Sequence, residues 1–149
     1  MNATTEQTRQ QNEALIKRIY DIFNSHDLDK LDEIFDLEYE DYSVGLPLPT
    51  PFGLQELKGV LTTYAAAFPD GKWTISGVIN DGDKAAWHDH FTGTHQGELM
   101  GIPPTGRKVD ATGLSIGEIR NGKAYRHWSV FDNLGLMQQL GVVPMPGQQ

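Results

Sequence analysis

The hydrophobic spacing of this chain changes period once, near Lys72, and that change limits what the chain can fold into. Before it, apolar residues recur at helical intervals. Leu15, Ile16, Ile19, Tyr20, Ile22 and Phe23 form one stripe, with Glu13, Lys17, Arg18 and Asp21 opposite. Asn24–Asp27 ends that helix, and Asp27 or Asp29 can cap a second, short one with Leu28, Leu31, Ile34 and Phe35 as its apolar face. Glu38–Val44 reads as a short strand. A third helix spans Leu54–Phe68 and stops at Pro69-Asp70-Gly71. From Lys72 the period is two, and Trp73–Asn80, Lys84–Thr94, Lys108–Arg120 and Lys123–Asp132 read as four strands. A short helix, Asn133–Leu140, follows. Helices before an antiparallel meander predict an α+β fold, with three N-terminal helices over one face of a curved sheet. Residues 1–149 read as one domain, with 1–10 and 142–149 as loose ends.

A chain of 149 residues buries enough surface to need no covalent staple, and this one has no Cys. That excludes disulfides, thiolate nucleophiles and Cys-bound metals. A net charge of −8 without a basic cluster argues against nucleic acid and anionic membrane surfaces. No apolar run approaches the roughly 18 residues of a membrane span, and the polar start lacks a secretory pattern. The expectation is a cytoplasmic protein whose partner is a small molecule.

Strand Lys84–Thr94 places Ala85, Trp87, Asp89 and Phe91 on its apolar, helix-facing side, which buries Asp89 between aromatics. At Arg120–Lys123 two hairpin registers are open. A two-residue turn pairs Glu118 with Tyr125. A three-residue loop with a left-handed Gly122 pairs Glu118 with Arg126 and Ile119 with Tyr125. The second matches opposite charges and is preferred. It turns Gly113, Ser115 and Gly117 inward beside Tyr125, His127, Ser129 and Phe131. That row of small residues, walled by Trp87, Phe91, Tyr125 and Phe131, reads as the floor of a cavity for a flat apolar ligand, though glycines also serve simply to bend a sheet. The apolar loop Gly45–Gly53, with three prolines and two glycines in nine residues, either folds onto the core or rims that cavity.

Asp89 and His127 flank the glycine floor and make a candidate acid/base pair, Asp89 as base and His127 as its partner or acid. Ser115 and Ser129 are candidate oxygen binders, and Tyr64 a further pocket residue. The plainer readings are a satisfied core carboxylate, bonded to Tyr64 or Tyr125, and a core histidine. His88-x-His90, with His95 and Glu98 nearby, has a spacing that metals use. Its outward neighbours Ile116, Trp128 and Val130 fit a homodimer face better, and no metal is expected. Asp132 reads as the cap of the last helix, with a catalytic role as second choice.

The segment Gly93–Arg107, with Gly-Thr-His-x-Gly-x-x-x-Gly-x-Pro-Pro-Thr-Gly-Arg, resembles the signature of the SnoaL-like polyketide (ester) cyclase family. Ala67–Asp70, Asn121–Lys123, His127-Trp128, Asp132 and Gln138–Gly141 extend the resemblance from about Asn12 to Gly141. It implies an NTF2-like conical barrel around a deep pocket, a homodimer or homotetramer built through the outer sheet face, and no cofactor. It also implies ring-closing acid/base catalysis by an Asp and a His whose positions are occupied here by Ser129 and Ser115. Epoxide hydrolases of the limonene type likewise have an Asp where this chain has Ser129. The expected function is therefore a cofactor-free enzyme for aldol-type closure or proton abstraction beside a carbonyl, run from Asp89 and His127. Epoxide-type water activation by Asp89, or a non-catalytic binding or dimerisation module, are the alternatives.

Overall fold

The computed structural model describes residues 5–147. Helix α1 (Thr5–Ser25) starts earlier than the apolar stripe does. Residues 5–10, expected to be loose, are helical because Arg9 and Gln10 both reach back about one turn to Glu6, at 2.6 and 3.1 Å. Residues 1–4 and 148–149 of the expected loose ends lie outside the described residues. The second expected helix is a single 3₁₀ stretch, Leu28–Glu33. Asp27 stands at its N-terminus without a side-chain cap. Phe35 does not belong to its face but opens strand β1 (Phe35–Asp41). Helix α2 (Leu54–Ala67) is capped by Glu56, which accepts from Gly53 N–H at 3.2 Å.

The meander follows as β2 (Lys72–Asp81), β3 (Lys84–Thr94), β4 (Lys108–Arg120) and β5 (Lys123–Phe131), and helix α3 (Asn133–Gln139) closes the fold. The sheet order is β1-β5-β4-β3-β2, with β1 parallel to β5 and every other pair antiparallel. The sheet is curved but unclosed, so β1 and β2 remain edges where a full barrel would pair them. A left-handed Gly77 (φ 63°) sits at the register skip in β2, between Ser76 and Ile79. The helices cover one face with two apolar cores. One holds Ile16, Ile19, Leu31, Phe35, Leu61 and Trp87, and the other Phe68, Phe91, Leu99, Leu136 and Leu140.

The last hairpin combines features of both expected registers. Asn121 and Gly122 are both left-handed, so the turn has two residues and pairs Arg120 with Lys123. A bulge then shifts the ladder, so Glu118 faces Arg126 as preferred, while Ile119 faces Ala124 rather than Tyr125. Tyr125 is the extra residue. It lines neither of the two cavities between the helices and the sheet. Its ring lies under two guanidiniums instead, Arg120 at 3.7 Å and Arg126 at 4.6 Å from the centroid. No described helix is long and apolar enough to cross a membrane.

Candidate active site

The site begins with the parallel pairing of β1 and β5. Asp41 stands opposite His127, and Tyr42 N–H donates to the His127 carbonyl at 2.7 Å. A register shift between Phe35 and Glu40 turns Leu37 out to solvent and leaves Phe35, Tyr39 and Asp41 all inward. The chain beyond Asp41 folds back. Asp41 N–H donates to Phe52 O at 2.8 Å and Phe52 N–H to Asp41 O at 3.0 Å. The apolar loop thus does both things expected of it: Phe52 enters the core and Leu46 lines a cavity.

Asp41 is 1% exposed and takes three donors. Tyr39 Oη donates to Oδ2 at 2.7 Å, His127 Nδ1 lies 3.1 Å from the same oxygen, and Ser43 N–H donates to Oδ1 at 2.8 Å. Burial alone would raise the Asp41 pKa. The bond and charge of His127, with the Ser43 and Tyr39 bonds, outweigh burial and hold it below the ordinary carboxylate range. Burial and then the Asp41 carboxylate push the Tyr39 phenol well up, so it stays a donor. A carboxylate carries no hydrogen, so the hydrogen between Asp41 and His127 belongs to Nδ1. No described group bonds to Nε2, which in the neutral ring then carries the free lone pair.

Asp89 and His127 line the same cavity but make no direct bond to each other. Asp89 lies in the row of Gly113 and Phe131, and His127 in the row of Gly117 and Ala85. That separates them by four residues, about 13 Å along the strands, and by about 9.6 Å across. The Trp87 ring stacks on His127 at 5.9 Å and sends its N–H to Asp89 at 3.0 Å, so it stands between them. Asp89 also accepts from the Tyr20 and Ser115 hydroxyls. It has the character of the satisfied core carboxylate, with Tyr20 and Ser115 as partners in place of Tyr64 or Tyr125. Tyr20 is pushed well up by burial first and by Asp89 second, against the smaller opposing bonds of Trp87 and Ser115.

The glycine floor is covered by rings. A Cβ on Gly117 would meet the Trp87 indole at 2.8 Å, and one on Gly113 the Phe131 ring at 3.0 Å. The open space lies above these rings as two adjoining cavities of about 80 and 100 Å³. They share Tyr20, Phe23, Asp41, Leu57 and His127, so the Asp41–His127 pair stands at their junction. The first is walled by α1 and by Trp87 and is almost wholly apolar. The second holds Tyr64, Phe131, Ser43, Ser115, Ser129 and Asp89. Burial raises the Tyr64 phenol to about 12. Phe91, expected on the cavity wall, is instead packed in the core against Tyr64, Phe68 and Trp73.

The remaining candidates have plain structural roles. Asp132 caps α3, accepting from Gly135 N–H at 2.8 Å. His90 bonds Asp110, and His88 lies 3.5 Å from Ser76. Among the described residues no group of three or more His, Asp or Glu is placed to hold a metal. His95 is buried and accepts from Thr105 N–H at 3.1 Å, which pins the ends of the Gly-rich segment together. Gln96 and Gly97 N–H groups both donate to Ala67 O, at 2.9 and 3.1 Å, and tie the same segment to the end of α2.

Tyr20, Tyr39, Asp41 and Ser43 were missed in the sequence. The alternation Tyr39-x-Asp41-x-Ser43 was a usable signal, since it puts two polar side chains on the face of a buried tyrosine. What it lacked was a partner strand.

Helices packed on a curved, unclosed five-stranded sheet define an NTF2-like fold, which here holds a buried carboxylate–imidazole pair. The model of the SnoaL-like polyketide cyclase family matches residues 13–140, and the chain belongs to that family. IdmH from Streptomyces antibioticus, named as a candidate polyketide cyclase, is 33% identical with a TM-score of 0.77, over 87% of this chain and 98% of that one. AclR from Streptomyces galilaeus, named as a candidate hydroxylase, is 25% identical with a TM-score of 0.81, over 93% and 85%. A SnoaL-like protein from Jannaschia sp. CCS1 shares the fold at 18% identity, with a TM-score of 0.80 over 97% and 99%. The sequence matches no curated protein.

Proposed function

We propose that the chain is an acid/base enzyme that takes a proton from the carbon beside a carbonyl of an apolar, flat small molecule. His127 Nε2 is the base and Asp41 holds the ring. This replaces the expected Asp89–His127 pair. The observation that carries the reading is the Asp41–His127 bond at the junction of the two cavities. A carboxylate behind Nδ1 fixes the tautomer and supports the imidazolium that forms when Nε2 takes a proton. The electron pair of the broken C–H bond moves to the carbonyl oxygen. The enolate carbon can then attack a second carbonyl carbon of the same molecule, forming a C–C bond, and the imidazolium returns its proton to the new alkoxide. That is an aldol-type closure, and it calls on no cofactor. Trp87, Tyr64 and Phe131 supply the apolar walls. Leu114, Ile116 and Val130, exposed on the outer sheet face, support pairing with a second copy of the chain.

The test is hydrogen–deuterium exchange at the α-carbon of 2-tetralone, followed by NMR in D₂O. The wild type should accelerate exchange, and His127→Ala should remove about 10²–10⁴ of that acceleration. Equal rates for wild type and variant would remove His127 from the chemistry and favour the non-catalytic binding module.

A further inference from the structure

We infer that Ser43 is the hydrogen-bond donor that receives the ligand's carbonyl oxygen; the inference rests on the cavity and the His127 base proposed above. Three serine hydroxyls line the second cavity, and each has one hydrogen to give. The Ser115 hydrogen is spent on Asp89. The Ser129 hydrogen is spent on Ser43 Oγ at 2.7 Å. Both oxygen binders expected from the sequence are therefore committed inside the protein.

Ser43 differs. Its oxygen accepts from Ser129, and its other polar neighbour is His127 Nδ1 at 3.3 Å. That nitrogen cannot take the Ser43 hydrogen. Nδ1 also lies 3.1 Å from Asp41 Oδ2, an oxygen of a carboxylate that already accepts from Tyr39 and Ser43 N–H. With Asp41 ionised, Nδ1 must carry the proton, since a bare nitrogen would face a bare carboxylate oxygen. Nδ1–H is held by Asp41 Oδ2, and with Ser129 O–H donating to Ser43 Oγ the Ser43 hydrogen is left for a ligand. Ser43 is 6% exposed, so water outside the cavity does not readily take it.

The geometry is that of a small oxygen-binding device. Ser43 is fixed by its backbone, because its N–H is held by Asp41 and the next residue, Val44, donates its N–H to Ser129 O at 3.1 Å. The Ser129 donor behind its oxygen polarises the hydroxyl and strengthens it as a donor. Ser43 Oγ stands at the Nδ1 edge of the His127 ring, and both residues line the second cavity, so one ligand there can meet both. The ligand class is a ketone, or its enolate, with apolar substituents, and the hydrogen bond strengthens as the oxygen gains charge.

The experiment compares two probes of similar shape, acetophenone carrying ¹³C at its carbonyl and ethylbenzene, which lacks the oxygen. Affinities are read by NMR titration of the protein and hydrogen bonding by the ¹³C shift. Wild type should prefer acetophenone, and the bound carbonyl should move downfield. Ser43→Ala should lower acetophenone affinity roughly two- to tenfold, the range of one neutral hydrogen bond, and return the ¹³C shift. Ethylbenzene affinity should stay the same, which also controls for folding. Ser129→Ala should keep the preference, because Ser43 retains its hydrogen. If both probes bind and Ser43→Ala changes neither the preference nor the shift, or if Ser129→Ala is the variant that abolishes them, the inference fails while the cavity stands. If neither probe binds the wild type, the cavity reading fails and the inference with it.

Discussion

Replacing Asp41 by Asn tests the bond set behind His127. The carboxylate takes the Tyr39 hydroxyl and His127 Nδ1 on Oδ2 and the Ser43 N–H on Oδ1. An amide of the same shape has one acceptor oxygen and one NH₂ group. The Ser43 N–H belongs to the backbone and cannot turn away, so the amide oxygen must face it. The NH₂ group then faces Tyr39 and His127 Nδ1. The imidazole satisfies it only by releasing the Nδ1 proton and carrying one on Nε2. Three bonds to a charged acceptor, about 1.5–3 kcal/mol each, become neutral bonds of about 0.5–1.5 kcal/mol. The loss is roughly 3–4.5 kcal/mol, and no longer burying a charge offsets part of it, so the expected net destabilisation is about 2–3 kcal/mol. Activity should fall much further. A catalytic imidazole forced into the wrong tautomer loses about 10⁴ in the serine-protease case, and here we expect roughly 10²–10⁴ in α-proton exchange. The decisive assay is ¹⁵N NMR at a pH where His127 is neutral. Wild type should show a protonated Nδ1 and a bare Nε2, and Asp41→Asn the reverse. A variant that keeps Nδ1 protonated and melts like wild type would refute the role given to Asp41.

Two further outcomes follow from the same structure. The Asp41 pKa is depressed in the fold, so the unfolded chain binds that proton more readily. Its contribution is complete above the unfolded value of about 3.9 and is lost as pH falls through the folded value. The difference in unfolding free energy between wild type and Asp41→Asn should therefore shrink below about pH 4, and a difference that grows on acidification would reverse the assignment. Gly97→Ala would place a Cβ 2.3 Å from the Ala66 carbonyl oxygen, a backbone atom that cannot turn aside. The expected cost is about 1–3 kcal/mol, or several degrees in Tm by thermal melting, and an unchanged Tm would mean the loop is not held against α2.

Much of the fold was legible because local spacing carries it. The change of period near Lys72 and the inward face of β3 follow from alternation alone, while the inward face of β4 needed the pairing of Glu118 with Arg126. The start of α1 was not legible, because residues 5–10 have no apolar stripe and depend on Arg9 and Gln10 bonding Glu6 one turn back. Tyr125 was misplaced for a different reason. A single bulge changes which residue faces inward, and composition does not announce it.

The candidate site divides along the same line. His127 and the polar Tyr39-x-Asp41-x-Ser43 alternation stand in the chain for anyone to read. Their meeting does not, since the residues are more than 80 positions apart and join through a parallel pairing of the first strand with the last. Asp89 was the conspicuous carboxylate in the sequence because it interrupts an apolar row. The fold surrounds it with Tyr20, Trp87 and Ser115 and gives His127 to Asp41. Alternation along one strand decides which side chains face inward, whereas pairing between distant strands decides which of them touch. The sequence by itself determined the first, and only the tertiary structure decided the second.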